Sequence, residues 1–214
     1  MLCYRKNKLG SLRLRFQTAC FEDKTMRLLF THLLLLTLFL ANSPVLNASA
    51  AEKPEFYEQV YLNEEAALKL IFGDLKSEKH LLTLNAEQKK QIQKQLRRKI
   101  PETSLPIWYG LQNGKVERYA LILDEDGKHF PITFIVGLSP QASVTQVAVM
   151  VYRERRGDGI KRNRFLSQFV GKSGKDPIEV NTDIIHLTGA TISSWSIAAG
   201  VRKAIALLEM LVLK

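Results

Sequence analysis

The spacing of hydrophobic and polar residues changes along the chain, and its first part is spaced like a helix. Up to about Pro101 the pattern predicts one helix over Glu64–Phe72 and a second that begins at Asn85. Asn85 is a favourable N-cap, and Gln88 stands where its side chain can complete a capping box. The apolar residues of the second helix recur every four positions, at Ile92, Leu96 and Ile100. We therefore predict that residues 51–101 are helical.

From Ile107 to Arg153 the spacing becomes that of strands. Apolar residues alternate there or form continuous runs. The predicted strands are Ile107–Gln112, Val116–Leu123, His129–Val136 and Val144–Tyr152. Asn113-Gly114, between the first two, is a strong hairpin signal. Consecutive strands with short links predict an antiparallel sheet.

The last helix is the clearest element of the chain. Its apolar residues form one broad stripe over residues 192–213: Ile197, Val201, Ala204, Ile205, Leu208, Leu211 and Val212. Arg202, Lys203 and Glu209 lie in this helix and argue against a membrane span. A short helix is predicted before it, at Arg164–Val170. Helices, then strands, then a long helix predict an α+β fold in which helices cover an antiparallel sheet.

The N-terminus has the pattern of a secretory signal peptide. Met26 and Arg27 precede a nearly unbroken apolar run, Leu28–Ala41, and Ala48–Ala50 has the small residues of a cleavage site. The run is at the lower edge of the roughly 20 apolar residues that a membrane span needs. Cleavage after Ala48–Ala50 is therefore the favoured outcome, and an uncleaved anchor is the alternative. The basic residues upstream of Met26 are unusual for such a peptide and favour Met26 over Met1 as the start.

Composition and charge fit an exported protein with a packed core. The chain has 214 residues, of which 46% are hydrophobic and 24% charged, as in ordinary folded domains. The formal charge of +10 suggests an anionic partner, but residues 1–50 hold seven Lys and Arg against two Asp and Glu, which leaves +5 for residues 51–214. Both cysteines, Cys3 and Cys20, lie in the extension. The cysteine-free remainder excludes a disulfide framework and suits an oxidising compartment.

Several common chemistries lack the residues they need. The histidines are scattered without helical spacing or a carboxylate pair, which leaves a zinc site unsupported: His32, His80, His129 and His186. The basic second helix has no aromatic residues between its charges, so we expect a solvated face there and no nucleic acid as a partner. Ser193, Ser194 and Ser196 lack the glycines of a hydrolase nucleophile elbow. We therefore expect no metal and no hydrolase activity.

The most informative stretch stands directly before the last helix. Thr188-Gly189-Ala190-Thr191 is followed closely by Ser193 and Ser194. Glycine and alanine allow another group to approach, while the unpaired N–H groups and positive dipole of a helix start favour a phosphate. An ordinary N-cap is the alternative, because Thr and Ser are common there for their hydrogen bonds alone.

This motif, with the amphipathic helix after it, resembles a known family. The family is the FMN-binding domain of the C subunit of the sodium-pumping NADH:quinone oxidoreductase and the G subunit of Rnf-type complexes. In that family the last threonine of the motif, here Thr191, carries FMN as a phosphoester that a flavin transferase attaches from FAD. The resemblance implies FMN as the cofactor, held by Thr191 with Thr188, Gly189, Ala190, Ser193 and Ser194. Together with the patterns above, it divides the chain into three parts: an extension with a signal peptide (1–50), a helical segment (51–101) and an FMN-binding domain (102–214).

The resemblance extends upstream to about Ile107. Family members place a strand ending in glutamate, a glycine-containing loop and a Phe-x-x-Gln-Phe helix in this order, as Glu154, Gly157 and Phe165–Phe169 do here. In place of the family's small or rigid loop residues, this chain has Arg155-Arg156. The resemblance adds Glu154 and Gly157 to the expected site, and the departure adds Arg156. The loop is predicted to accept the flavin phosphate or an acidic partner, or else to be a solvated basic turn.

A second departure lies just before the motif. The family usually has an aspartate three residues before the first Ser or Thr, and that position is Ile185 here. The nearest acid, Asp183, is two residues further back. Covalent attachment at Thr191 is expected from the motif, and noncovalent FMN is the alternative that Ile185 leaves open.

These features predict an exported flavoprotein that passes electrons between a membrane-bound redox partner and another acceptor. The chain has no nicotinamide-binding glycine fingerprint, which argues against direct oxidation of NAD(P)H and favours a carrier or complex subunit over a stand-alone enzyme. The expected location is the periplasm or the outer face of the inner membrane. The alternative is an exported module without redox function, which binds a phosphate-bearing or otherwise anionic ligand.

Overall fold

The computed structural model describes residues 57–213. The predicted signal peptide, its cleavage site and the choice between Met1 and Met26 all fall outside the described residues. No helix within 57–213 has the length and apolar character needed to cross a membrane.

Strands and helices alternate before one long helix closes the chain. The strands are β1 (Gln59–Val60), β2 (Lys76–Thr83), β3 (Ser104–Gln112), β4 (Lys115–Asp126), β5 (Pro131–Leu138) and β6 (Val144–Tyr152). The helices are α1 (Glu64–Phe72), α2 (Ala86–Leu96), α3 (Asn163–Leu166) and α4 (Thr191–Leu211). Two 3₁₀ turns flank α3, at Asp158–Lys161 and Ser167–Phe169.

All six strands form one antiparallel sheet in the order β1-β6-β5-β4-β3-β2. The α+β prediction is therefore confirmed, and the four predicted strands correspond to β3 to β6. Asn113 and Gly114 join β3 and β4 with φ angles of 51° and 76°. Two successive positive φ values are what a two-residue hairpin requires, because they match the twist of the flanking strands.

The prediction that residues 51–101 are helical is correct for α1 and α2. It is wrong for β1 and β2, two strands that lie in the same segment. β2 pairs with β3 along its whole length, and β1 pairs with β6. β2 is an edge strand in which only Leu82 is buried, so it lacks the apolar alternation that marks a strand in the sequence. The boundary between a segment 51–101 and a domain 102–214 stays a prediction, although β2 lies in the same sheet as the rest.

The second helix starts where the sequence predicts and ends earlier. The Asn85 side chain accepts from the Gln88 N–H at 2.8 Å, and the Gln88 side chain accepts from the Asn85 N–H at 3.0 Å, which completes the capping box. α2 ends at Leu96 because Arg97 adopts a left-handed conformation with φ 54°. Ile100 is buried in the core as expected, but it lies outside the helix.

Helices cover both faces of the sheet. α1 buries Ala67, Ile71 and Phe72 against one face, on which Trp108 and Ile135 also lie. α2 and α4 pack on the other face, and the predicted stripe of α4 is buried there from Ile197 to Leu208. Each such aliphatic side chain stabilises the fold by about 1.5–3 kcal/mol on burial. This packing fixes the start of α4 at the end of the sheet where β4 ends.

Candidate functional site

The start of α4 has no side-chain cap. The N-cap residue is Ala190, and the first helical bond runs from the Ser194 N–H to the Ala190 carbonyl at 2.9 Å. The N–H groups of Thr191, Ile192 and Ser193 bond to no backbone carbonyl of the described residues. A helix of 21 residues therefore begins with unpaired donors at the positive end of its dipole.

The hydroxyl groups around this helix start divide into exposed and buried ones. Thr188 and Thr191 are exposed, and the Thr191 hydroxyl has no hydrogen bond to any residue in the described range. Ser193 and Ser194 are buried. The Ser194 hydroxyl donates to the Ala190 carbonyl at 2.9 Å, so it shapes the turn from inside. Of the four, only the two threonines offer their hydroxyls to solvent.

The loop at Gly157 packs directly on the Thr-Gly-Ala-Thr turn. Gly157 has a φ of 92°, and a Cβ there would lie 2.6 Å from the Tyr152 hydroxyl, 3.3 Å from the Ala190 Cβ and 3.4 Å from the Gly189 carbonyl. Glycine is required at this position both for its φ angle and for this close approach. The structure thus brings together Gly157 and the motif, which are far apart in the sequence.

Tyr152 ties the loop to the helix. Its hydroxyl donates to the Arg156 carbonyl at 2.6 Å and lies 3.2 Å from the Ser193 hydroxyl. Burial raises the pKa of Tyr152, so the hydroxyl stays protonated at neutral pH and remains a donor. Nothing in the sequence singles out Tyr152, because a tyrosine ending a strand gives no sign of what its hydroxyl contacts.

Glu154 and Arg156 have different surroundings. The Glu154 carboxylate accepts from the His129 N–H at 2.8 Å and closes the turn between β4 and β5. It is therefore occupied by the backbone of that turn. Arg156 is exposed, and its guanidinium forms no ion pair with another residue in 57–213. Arg156 is therefore an exposed cation in the loop that packs on the motif.

Gln168 holds the residue that departs from the family pattern. Its amide oxygen accepts from the Ile185 N–H at 2.8 Å, and its amide nitrogen donates to the Ile185 carbonyl at 3.1 Å. Phe165 and Phe169 are buried on either side of Gln168 and anchor it. The Ile185 side chain itself is 78% exposed. The Phe-x-x-Gln-Phe motif thus positions the chain leading into Thr188, a role that the sequence did not reveal.

Asp183 does not replace the missing aspartate. Its carboxylate bonds to Lys172 Nζ at 2.7 Å and to the N–H groups of Ile178 and Glu179 at 3.1 and 2.7 Å. Burial would raise the pKa of Asp183, but these hydrogen bonds and the Lys172 charge outweigh it and hold the pKa below its usual value. The carboxylate is therefore engaged in hydrogen bonds that hold the loop before the motif.

A cleft of about 460 Å³ lies along α4, one turn after its start. We call it the Trp195 cleft, and its lining consists of Arg98, Lys99, Pro101, Glu102, Asp124, Glu125, Asp126, Trp195, Ser196, Ala199 and Lys203. The Ser196 hydroxyl donates to the Asp126 carbonyl and joins α4 to the end of β4. The sequence gives no sign of this cleft, because its walls come from three separate stretches of chain.

The floor of the Trp195 cleft is an ion network. Lys203 is 1% exposed, and its Nζ lies 2.8 Å from both Glu102 Oε1 and Glu125 Oε1. Arg98 pairs with the other oxygen of Glu125. Burial would raise the pKa of Glu102, but the bond from Lys203, a backbone hydrogen bond and the charges of Lys203 and Arg98 together outweigh it and lower the pKa. Two cations and two carboxylates therefore neutralise one another here.

Two comparisons with known proteins bear on this site. Residues 127–206 match the sequence model of the FMN-binding domain. The chain is also similar to the G subunit of the Na(+)-translocating ferredoxin:NAD(+) oxidoreductase complex of Acetobacterium woodii, with 28% identity over 115 residues. That similarity covers 49% of this chain and 56% of the relative, so the chain spans about half the length of the curated relative it matches.

The matched range includes the β4–β5 turn, the Gly157 loop, the Thr-Gly-Ala-Thr turn and most of α4. These are the same segments that the structure packs together around the start of α4. Residues 127–206 therefore match an FMN-binding domain, as the resemblance of the motifs predicted, and both comparisons support FMN as the cofactor.

Proposed function

We propose that this chain is an exported electron-transfer protein that carries FMN as a phosphoester on Thr191 and exchanges electrons with a membrane redox system. The observation that carries the proposal is the state of Thr191. Its hydroxyl is exposed and unbonded within the described residues, at the uncapped start of α4 and inside the matched range. A hydroxyl in this position is accessible to a modifying enzyme.

The residues around Thr191 fit an FMN phosphate. The unpaired N–H groups at the start of α4 are donors for phosphate oxygens, and the helix dipole favours negative charge there. Gly189 leaves its position in the turn without a side chain, Gly157 lets its loop pack on the turn, and Arg156 supplies an exposed positive charge in that loop. FMN supplies one- and two-electron transfer when bound, while the protein sets its position and electrostatics.

The other predicted site residues have supporting roles in this proposal. Thr188 is the second exposed hydroxyl of the turn, whereas Ser193, Ser194 and Ala190 shape it from the buried side. Glu154 holds the neighbouring β4–β5 turn. We therefore assign phosphate contact to the helix start and Arg156, and support of the turn to the buried residues.

Attachment requires a flavin transferase as a maturation partner and FAD as the donor. The Thr191 oxygen forms a bond to the FMN phosphorus while the diphosphate bond of FAD breaks, so AMP leaves and the hydroxyl proton is released. The usual aspartate before the motif is Ile185, but Gln168 fixes the backbone there through two hydrogen bonds. We propose that this fixed backbone presents the motif to the transferase.

The electron-transfer role is proposed from the cofactor and from the relative. The relative's name describes a subunit of an ion-translocating oxidoreductase complex. A flavin tethered by its phosphate to the surface of the domain leaves a ring edge open to a partner, which suits a carrier or subunit. Export is proposed from the N-terminal pattern of a signal peptide, with the periplasm or the outer face of the inner membrane as the location.

Co-expression with a flavin transferase tests the proposal. The wild-type protein is expected to give a flavin-fluorescent band that survives denaturing electrophoresis, and Thr191→Val is expected to give a dark band. Thr182→Val is the matched control, because Thr182 is another exposed threonine and lies outside the motif. It should fluoresce like the wild type.

The outcomes separate the alternatives. A dark wild-type band, under conditions that label a known acceptor, would contradict covalent attachment. A dark band from protein that is yellow after purification would instead indicate noncovalent FMN. Colourless protein that retains no FMN on dialysis would favour a module that binds a different anionic ligand.

A further inference from the structure

We infer that the isoalloxazine ring of FMN lies against Trp195 in the Trp195 cleft. This inference rests on the proposed attachment of FMN to Thr191. It adds the site of the ring, about which the Thr-Gly-Ala-Thr motif says nothing.

The surface of α4 leads from Thr191 into the cleft. Trp195, Ala199 and Lys203 follow Thr191 at intervals of four residues, and residues four apart are neighbours on a helix surface. Each interval advances about 6 Å along the axis. Trp195, Ala199 and Lys203 all line the cleft. A group tethered at Thr191 by a flexible ribityl chain therefore meets Trp195 first and the cleft next.

Trp195 leaves much of a large aromatic side chain exposed to solvent. The chain has two tryptophans, and the other, Trp108, is only 4% exposed within the core. Trp195 is 45% exposed. Aromatic rings stack favourably on one another, and a flavin presents a large planar face for such stacking. A ring lying on Trp195 would cover apolar surface that is otherwise left in water.

The size and lining of the cleft suit a flat heteroaromatic ring. Its volume of about 460 Å³ lies within the range of roughly 300–1,000 Å³ typical of small-molecule sites. Pro101 and Ala199 add apolar wall beside Trp195, and the paired charges around Lys203 form the floor. A second cavity of about 520 Å³ lies by Asn113, at the opposite end of β4 from Asp126, and does not border α4.

The charges of the cleft predict an effect on the flavin. Arg98, Lys203, Glu102 and Glu125 pair with one another, which leaves Lys99 against the two carboxylates of Asp124 and Asp126. The balance is one negative charge. Negative charge beside a ring that gains electrons opposes its reduction. We therefore expect Asp126→Asn to raise the midpoint potential of the bound flavin.

The test compares flavin fluorescence in native and denatured protein after co-expression with the transferase. The denatured signal measures how much flavin is attached, and the ratio of native to denatured signal measures how the fold quenches the ring. Tryptophan in contact with a flavin quenches its emission, so the wild-type ratio should be low. Trp195→Ala should raise the ratio several-fold, and Trp195→Phe should raise it while keeping the induced visible circular dichroism of the flavin.

Ile192→Ala is the matched control. Ile192 is 48% exposed and adjoins Thr191, but it does not line the cleft, so the ratio should stay at the wild-type value. An unchanged ratio in both Trp195 variants would overturn the ring site. An unchanged potential in Asp126→Asn would also contradict it, and this variant does not depend on how Trp195 variants fold. A denatured wild-type sample without flavin would overturn the proposed covalent function, and the ring site with it.

Discussion

The starts of α2 and α4 are built in opposite ways. At α2 the side chains of Asn85 and Gln88 satisfy backbone donors reciprocally. At α4 the cap position is Ala190, whose methyl group cannot accept a hydrogen bond, and the first three N–H groups of the helix are left unpaired among the described residues. The shorter helix thus has a side-chain cap, and the longest helix of the described chain has none.

The difference indicates what each helix start is for. A side-chain cap contributes about 1 kcal/mol to stability, so its absence at α4 is a cost to the fold. The same absence leaves donors and a positive dipole available to an external anion. Gly189 lies at the open side of the turn, where a Cβ would meet nothing within 4 Å, and Thr191 places an exposed hydroxyl beside it. We interpret the α2 start as structural and the α4 start as functional.

The largest effect is expected from Thr191→Val. The variant should lose all covalent flavin, because the attachment oxygen is gone. Its free energy of unfolding, measured without flavin by denaturant titration, should stay within about 0.5 kcal/mol of the wild type, because the exposed hydroxyl bonds to no described residue. A strongly destabilised variant would show instead that Thr191 is part of the fold.

Gly157→Ala should disrupt the packing of the Gly157 loop against the start of α4. The new Cβ would contact the Tyr152 hydroxyl and Ala190, and the overpacking should cost about 1–3 kcal/mol in addition to the strain of the positive φ. Flavin attachment should fall as well, because the loop packs on the motif.

Gly171→Ala is the control for Gly157→Ala. Gly171 has a similar φ of 84°, but a Cβ there meets nothing within 4 Å. This variant should lose only about 1 kcal/mol or less from backbone strain and keep its flavin. Equal losses of stability and flavin in the two variants would remove the case for contact between the loop and the motif.

Asn85→Ala should lower stability and leave flavin attachment unchanged, whereas Thr191→Val should do the reverse. Loss of the capping box should lower the free energy of unfolding by about 1 kcal/mol. The in-gel flavin signal should match the wild type, because α2 takes no part in attachment. Loss of flavin from this variant would contradict the separation of the two helix starts.

The smallest effect is expected in acid and concerns the loop before the motif. The pKa of Asp183 is lowered in the folded state, so its contribution to stability is present above the unfolded value of about 4 and is lost as the pH falls through the folded value. Asp183→Asn should therefore be less stable than the wild type at neutral pH, and this difference should shrink below about pH 4. A difference that stays constant across this range would show that Asp183 acts without its charge.

Much of the fold follows from the sequence alone. The stripe of α4, the Asn85 cap and the Asn113-Gly114 hairpin are local patterns, and each has a direct physical reading. The edge strand β2 could not be predicted from the sequence pattern, because its side chains are mostly exposed and its pairing with β3 determines its conformation. Local pattern predicts a strand only where one face is buried.

The site divides in the same way. The Thr-Gly-Ala-Thr motif and the Gly157 loop stand out in the sequence, but their contact through Tyr152 depends on the sheet and cannot be read from spacing. Gln168 bonds to backbone atoms 17 residues away. Trp195 faces a cleft whose walls come from the chain after α2, from β4 and from α4. Long-range packing determines these features, so only the structure reveals them.

Peptide mapping by mass spectrometry tests the central claim most directly. The wild-type protein, co-expressed with a flavin transferase and digested with a protease, should yield a peptide containing Thr191 with the added mass of FMN less water. Fragmentation should place that mass on Thr191 itself. An unmodified peptide, under conditions in which the transferase labels a known acceptor, or a flavin mass on any other residue, would contradict the claim.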